Sequence, residues 1–255
     1  MEHWTRFTHA GNIRIGTLRN GWIAVCEGDM FAHPCPTGEE VSLEAVTLLT
    51  PTQPSKMIGL WNNFHERASK EGHSRPPHPL YFLKASSCFA ANGAVIRKPA
   101  GYAGTVVFEG ELGIVIGRRC AGVTEDEADA FIFGYTCVND VTARDILKSD
   151  SSFVQWTRAK SFDTFGVFGP MIARGLDPAG LRVKTLVNGA EKQNYPVSDM
   201  FFSPQQIVGL ISHDMTLYPG DIIACGTSVG VIPLTAGDRV EVVIDGVGTL
   251  TNVMQ

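Results

Sequence analysis

The chain lacks several features that would place it quickly. It has no run near the roughly 20 consecutive apolar residues that cross a bilayer, no Cys-x-x-Cys pair, no internal repeat, no low-complexity tract and no block of like charge. The first absence excludes a helical membrane span. The polar start, Met1-Glu-His-Trp-Thr-Arg6, is unlike a signal peptide, so a cytoplasmic protein is expected. Six scattered cysteines (Cys26, Cys35, Cys88, Cys120, Cys137 and Cys225) lack zinc-knuckle or thioredoxin-type spacing and suit reduced thiols, with Cys137 and Cys225 inert inside apolar strand-like runs. A formal net charge of -5 without basic clusters argues against binding to a phosphate backbone. Neither nucleic acid nor membrane is expected as a partner.

What is present suffices for a globular core: 255 residues, 44% of them hydrophobic. The pattern is mostly β with a few short helices, an α+β chain of two parts. Residues 1–53 read as a small N-terminal domain. A strand around Ile13 and Ile15, an Asn20-Gly21 type I′ turn and a strand from Trp22 to Cys26 form a hairpin. A short helix is expected from Glu39 to Leu49, ending near Pro51. Pro51 and Pro54 bracket a linker-like joint, and residues 54–255 form the larger domain. Capping boxes are legible at Thr124 with Glu127, Thr142 with Asp145, and Ser203 with Gln206, the last with Pro204 at the first helical position. Arg239 to Val253 reads as a hairpin turning at Asp245-Gly246. Ser69 to Pro79, polar and rich in proline, reads as a segment able to move.

The chemistry gathers around carboxylates. Thr105 to Ile116 has strand composition. Period two puts Glu109 and Glu111 on one face, with Phe108, Leu112, Ile114 and Ile116 on the other. Their Cα atoms would lie about 6.6 Å apart, and two ionised groups so close on a partly buried face repel unless a cation intervenes. Glu-x-Glu alone fits a solvated face equally well. A third acid, Asp140, ends the apolar run Phe131 to Asn139 and stands at a strand-to-helix corner, where functional groups collect. Three oxygen donors without clustered Cys or His suit Mg²⁺ or Mn²⁺.

Several segments together resemble the fumarylacetoacetate hydrolase family, from about Pro54 to the C-terminus. They are Lys56-Met-Ile-Gly-Leu60 leading to His65, Phe82-Leu-Lys84, Phe108-Glu-Gly-Glu-Leu112 before Val115-Ile-Gly117, Asn139-Asp-Val-Thr-Ala-Arg-Asp145, Ala159-Lys-Ser-Phe-Asp163 with Gly169-Pro170, and Gly226-Thr227. The resemblance implies a mixed β-roll, a homodimer, Mg²⁺ or Mn²⁺ on Glu109, Glu111 and Asp140, and chemistry on 2,4-diketo acids and related compounds through an enolate. Position by position, it implies Lys160 as the active-site lysine, Thr227 as a substrate-carboxylate contact, Arg144 as an active-site arginine and His65 as the proton-handling histidine. Arg144 also suits an ion pair with Asp145. Lys84 reads as a strand residue without an assigned role.

One position departs from the pattern. Hydrolytic members usually place a glutamate three residues after the histidine, where this chain has Ala68. Glu66, Glu71, His73 and His78 are the nearby substitutes; Glu66 stands with His65 among the candidate catalytic residues, and spacing does not choose which of them partners the histidine. The first expectation is hydrolysis of an acylpyruvate. The second is decarboxylation or isomerisation of an oxaloacetate-like or other 2-oxo-dicarboxylic acid. A different class of reading is a non-catalytic protein that binds metal and keto acid on the same fold.

Overall fold

The computed structural model describes residues 1–255. The chain opens with four antiparallel strands, β1 (Glu2–His9), β2 (Asn12–Arg19), β3 (Trp22–Glu27) and β4 (Cys35–Ser42). The turn between β2 and β3 is the expected one: Asn20 and Gly21 both take positive φ, 51° and 81°, and Arg19 pairs with Trp22. The helix expected from Glu39 to Leu49 does not form. Glu40 and Val41 pair with Ala24 and Ile23 of β3, a single 3₁₀ turn covers Leu43–Ala45, and Thr47–Leu48 pairs with β1. The open edge of β3 takes these residues first, and Val41 packs with Phe7, Ile23 and Val25. At the joint that follows, Thr52 donates to the Gly220 carbonyl (2.8 Å), and the backbone N–H groups of Ser55 and Lys56 donate to Asp221. The joint is packed rather than loose.

Next come β5 (Met57–Trp61), helix α1 (His65–Glu71), β6 (Leu80–Lys84), β7 (Gly110–Ile116), α2 (Glu125–Ala128) and β8 (Ile132–Asp140). They are followed by α3 (Arg144–Leu147), α4 (Trp156–Lys160), β9 (Gly166–Arg174), β10 (Arg182–Val187) and β11 (Ala190–Pro196). The chain closes with α5 (Pro204–Asp214), β12 (Ile222–Ala224), β13 (Arg239–Ile244) and β14 (Gly248–Met254). The large sheet runs β4-β3-β2-β1-β9-β8-β7-β12-β5-β6, with Thr47–Leu48 on β1 and Phe89–Ala90 on β9. The N-terminal strands enter it through β1, which pairs antiparallel with β9. A second sheet, β11-β10-β13-β14 with Val95–Ile96, packs across it. This is the mostly β roll that was expected, and no helix is long and apolar enough to cross a membrane.

Strand β7 is buried on both faces. Leu112, Ile114 and Ile116 join the core shared with the second sheet, whereas Val115 packs with Trp4, Met57, Val138 and Phe168. The run expected as one strand from Thr105 is broken at Phe108-Glu109: Val106–Val107 pairs instead with Thr142–Ala143. Thr142 therefore sits in a ladder and caps nothing; α3 starts at Arg144 without a side-chain cap. The boxes at Thr124 and Ser203 do form. The C-terminal hairpin turns through three residues, Asp245-Gly246-Val247, not two, with Gly246 at φ 79°. The segment expected to move is helical through Glu71. Beyond that, Asn62 donates to the Ser74 carbonyl (3.0 Å), and the Arg75 guanidinium lies 5.1 Å from the centre of the Phe202 ring.

Candidate metal-dependent active site

The β7–β8 register builds the acidic cluster. Gly110 pairs with Asn139, so Asp140 at the end of β8 lies beside Glu109, whose carbonyl accepts the Asp140 N–H at 2.9 Å. Glu111 stands two residues along β7 on the same side, and its carboxylate accepts the Gly226 N–H at 2.8 Å. A ligand oxygen from each of Glu109, Glu111 and Asp140 falls within 4.8 Å of the others. Gly110 separates the glutamates because nothing larger fits: a Cβ there would lie 2.0 Å from Thr185 Oγ1. Tyr195 and Thr227 both donate to the Gly110 carbonyl, Gln193 Oε1 accepts its N–H, and Gln193 Nε2 donates to Thr227 Oγ1 (2.8 Å).

Asp140 and Glu111 are each only 1% exposed, so their charges need partners. Lys160, at the end of α4, donates to Glu109 (2.5 Å), Asp140 and Thr142 (2.8 Å). Lys84, at the end of β6, donates to the other Asp140 oxygen. Arg67 of α1 reaches Glu109 at 3.4 Å and holds Glu71 at 2.9 Å. Burial alone would raise the Asp140 carboxyl, but the two ammonium groups outweigh it and hold it below the usual carboxylate range. Burial would likewise lower the Lys160 ammonium; Asp140, Glu109 and Glu111 reverse that and raise it. Glu111 touches no cation. Burial, with Asp140 and Glu109 beside it, pushes its carboxyl well above the ordinary value. A hard divalent cation among these oxygens would supply the charge that Glu111 lacks, so the donor set fits Mg²⁺ or Mn²⁺.

A cavity of about 1480 Å³ opens beside the cluster, lined among others by Glu109, Lys160, Thr227, Arg144 and Arg67. Among the sequence-predicted residues, Glu109, Glu111, Asp140 and Lys160 meet, and Thr227 and Arg144 face the cavity. Arg144 forms no ion pair with Asp145, which instead accepts from the Thr105 N–H (2.6 Å) and the Tyr102 hydroxyl (3.1 Å). His65 and Glu66 are placed elsewhere. Both are exposed; His65 rests its ring 4.2 Å from that of Phe201, and the Glu66 N–H donates to Asp199. The helix turns Arg67 inward instead, because residues two apart on a helical turn do not share a face. Arg67, Lys84, Thr142 and Gln193 were not foreseen. Lys84 alone carried a signal, a lysine closing an apolar strand.

Comparison with known proteins agrees with this architecture. The profile described as fumarylacetoacetate (FAA) hydrolase C-terminal matches residues 56–255, and one described as Rv2993c-like, N-terminal, matches residues 2–51. Protein Rv2993c of Mycobacterium tuberculosis is 44% identical over 87% of this chain and 83% of its own. Oxaloacetate tautomerase YisK of Bacillus subtilis is 36% identical over 83% of this chain and 75% of its own. The crystal structure of 2-hydroxyhepta-2,4-diene-1,7-dioate isomerase from Mycobacterium marinum superposes with a TM-score of 0.91 at 39% identity, over 100% of this chain and 98% of that one. A maleylpyruvate hydrolase from Sphingobium sp. SYK-6, in complex with manganese (II) ion and pyruvate, gives 0.81 at 28% identity, over 99% and 98%. The chain belongs to the fumarylacetoacetate hydrolase family.

Proposed function

We propose that this protein is a divalent-metal-dependent enzyme that takes a 2-oxo acid through an enolate without hydrolysing it, releasing carbon dioxide or exchanging keto and enol forms. The observation that carries this reading is Arg67. Helix α1 turns toward the acidic cluster a guanidinium, which cannot accept a proton from water, where hydrolysis needs a base within reach of the substrate. A bound Mg²⁺ or Mn²⁺ on Glu109, Glu111 and Asp140 supplies Lewis-acid polarisation of oxygen ligands. The chain's own cations do the rest. As the C3–C4 bond gives up its electron pair and its carboxylate leaves as carbon dioxide, or as solvent water takes a proton from C3 and another returns to the enolate oxygen, negative charge grows on the keto oxygen, and the Lys160 ammonium offsets it. Lys84 keeps Asp140 ionised, and Thr142 fixes the Lys160 ammonium. Arg144 and Arg67 offer guanidinium groups to substrate carboxylates. The names of the relatives, an oxaloacetate tautomerase and a dienedioate isomerase, support the same reading.

Purified protein with Mg²⁺ or Mn²⁺ is expected to release carbon dioxide from oxaloacetate or to speed its enol–keto exchange, and to leave acetylpyruvate uncleaved. Acetate formed from acetylpyruvate overturns the reading. One observation favours that hydrolytic alternative: Glu71 and His73 face each other at 3.7 Å on the cavity wall, an acid–imidazole pair able to activate water. In that case His73→Ala abolishes acetate release. A homodimer belongs to the same proposal and is checked by light scattering.

A further inference from the structure

One wall of the cavity is a run of aromatic rings that begins at the acidic cluster. The Lys160 ammonium lies 5.0 Å from the centre of the Phe82 ring. Phe82 stacks on Trp156, with centroids 5.4 Å apart and planes within 7°. Trp156 meets Trp61 at 5.7 Å, and Trp61 meets His73 at 5.0 Å, edge to face. All four rings line the cavity, as do Leu60, Pro79, Leu147 and Val154. Trp61 and Trp156 are half-buried, so they keep surface to offer a ligand.

The size of this space argues against a four-carbon acid as the natural occupant. Pockets of roughly 300–1,000 Å³ enclose drug-sized ligands, and this cavity measures about 1480 Å³. The head of a 2-oxo acid needs only the carboxylates, Lys160 and their neighbours. The ladder of rings then lies along the path from that head outward. Polar side chains stand on the same walls, Asn62 and Tyr81 among them already donating to the Ser74 carbonyl and to Asp214, and the open faces of the two tryptophans suit a flat hydrocarbon ring.

We propose that Trp61, Trp156 and Phe82 form a specificity subsite for an aryl tail, and that the substrate is a 2-oxo acid bearing an aromatic ring one or two carbons beyond its keto group. This rests on the 2-oxo acid reading of the metal site. Aromatic pairs gain affinity beyond what their buried area gives, so phenylpyruvate should bind about threefold to tenfold more tightly than 2-oxooctanoate, which is apolar but carries no ring.

The test is calorimetry on the full chain with saturating Mn²⁺, using phenylpyruvate, 2-oxooctanoate and oxalate, the last as a probe of the head site alone. The preference for phenylpyruvate is expected to fall to about onefold in Trp61→Gly and in Trp156→Ala while oxalate binding stays unchanged. Trp61 ends an edge-proximal strand, so its variant keeps the test open if Trp156→Ala fails to fold. Oxalate binding without any aryl preference, or an aryl preference that survives Trp61→Gly, overturns this proposal alone. Failure of the unmodified protein to bind oxalate overturns the head-site reading and this proposal with it.

Discussion

Strands β1 to β4 and strands β7 and β8 belong to one sheet, yet they put their charges in opposite places. In the first group Glu39, Glu40 and Arg14 lie at the surface, and the pair Arg14–Glu39 is partly exposed. In the second, Glu111 and Asp140 point into the molecule from strands that are buried on both faces. A surface charge is already solvated and contributes little wherever it stands. A buried one has to be matched, which is why two lysines and an arginine converge on Glu109 and Asp140, while Glu111 is left for a metal to match. Charge inside an apolar strand therefore marks function, whereas the same residue on an alternating strand marks only an outside.

That contrast is open to direct attack. Glu111→Ala or Asp140→Ala is expected to weaken Mn²⁺ binding by more than about 100-fold, roughly 3 kcal/mol, while Glu39→Ala leaves it unchanged; isothermal titration reads both. Intact Mn²⁺ affinity in either site variant would remove the site.

Lys84→Met takes one cation from a buried pair and should cost about 3–5 kcal/mol in urea unfolding of the metal-free protein. Gly110→Ala, whose Cβ meets Thr185, should cost about 1–3 kcal/mol by the same measurement.

Glu111 sharpens the contrast through pH. Its folded carboxyl titrates above its unfolded value, so in the metal-free protein the stability tied to its protonated form is present at low pH and lost as pH rises through the folded titration. Glu111→Gln should flatten that loss in thermal melts and abolish metal binding. An unchanged slope would show that Glu111 is not strained by its neighbours. At the small end, Arg14→Ala should shift stability by no more than about 0.5 kcal/mol.

The two regions also differ in how far they could be read in advance. Asn20-Gly21 announced its turn because both positions need positive φ, a local demand. The Glu109–Glu111 spacing was local as well, since period two decides which side chains share a side. At helix α1 the family resemblance marked the histidine, but spacing could not choose its partner, and which of His65, Glu66 and Arg67 turns inward depends on how the helix packs in the fold. The expected helix after Glu39 failed because an open strand edge outcompeted a weak local preference.

The sequence by itself determined the β-rich class, the N-terminal hairpin, two capping boxes and the side shared by Glu109 and Glu111, because turns, caps and alternation are settled by neighbours along the chain; Lys160 was legible only through the family resemblance. Only the tertiary structure decided that Thr142 serves Lys160 rather than a helix, that Lys84 and Arg67 complete the charge balance, and that Trp61 and Trp156 share a wall. Those contacts join residues from 18 to 95 positions apart, and no local rule of chain geometry specifies which distant strands will meet.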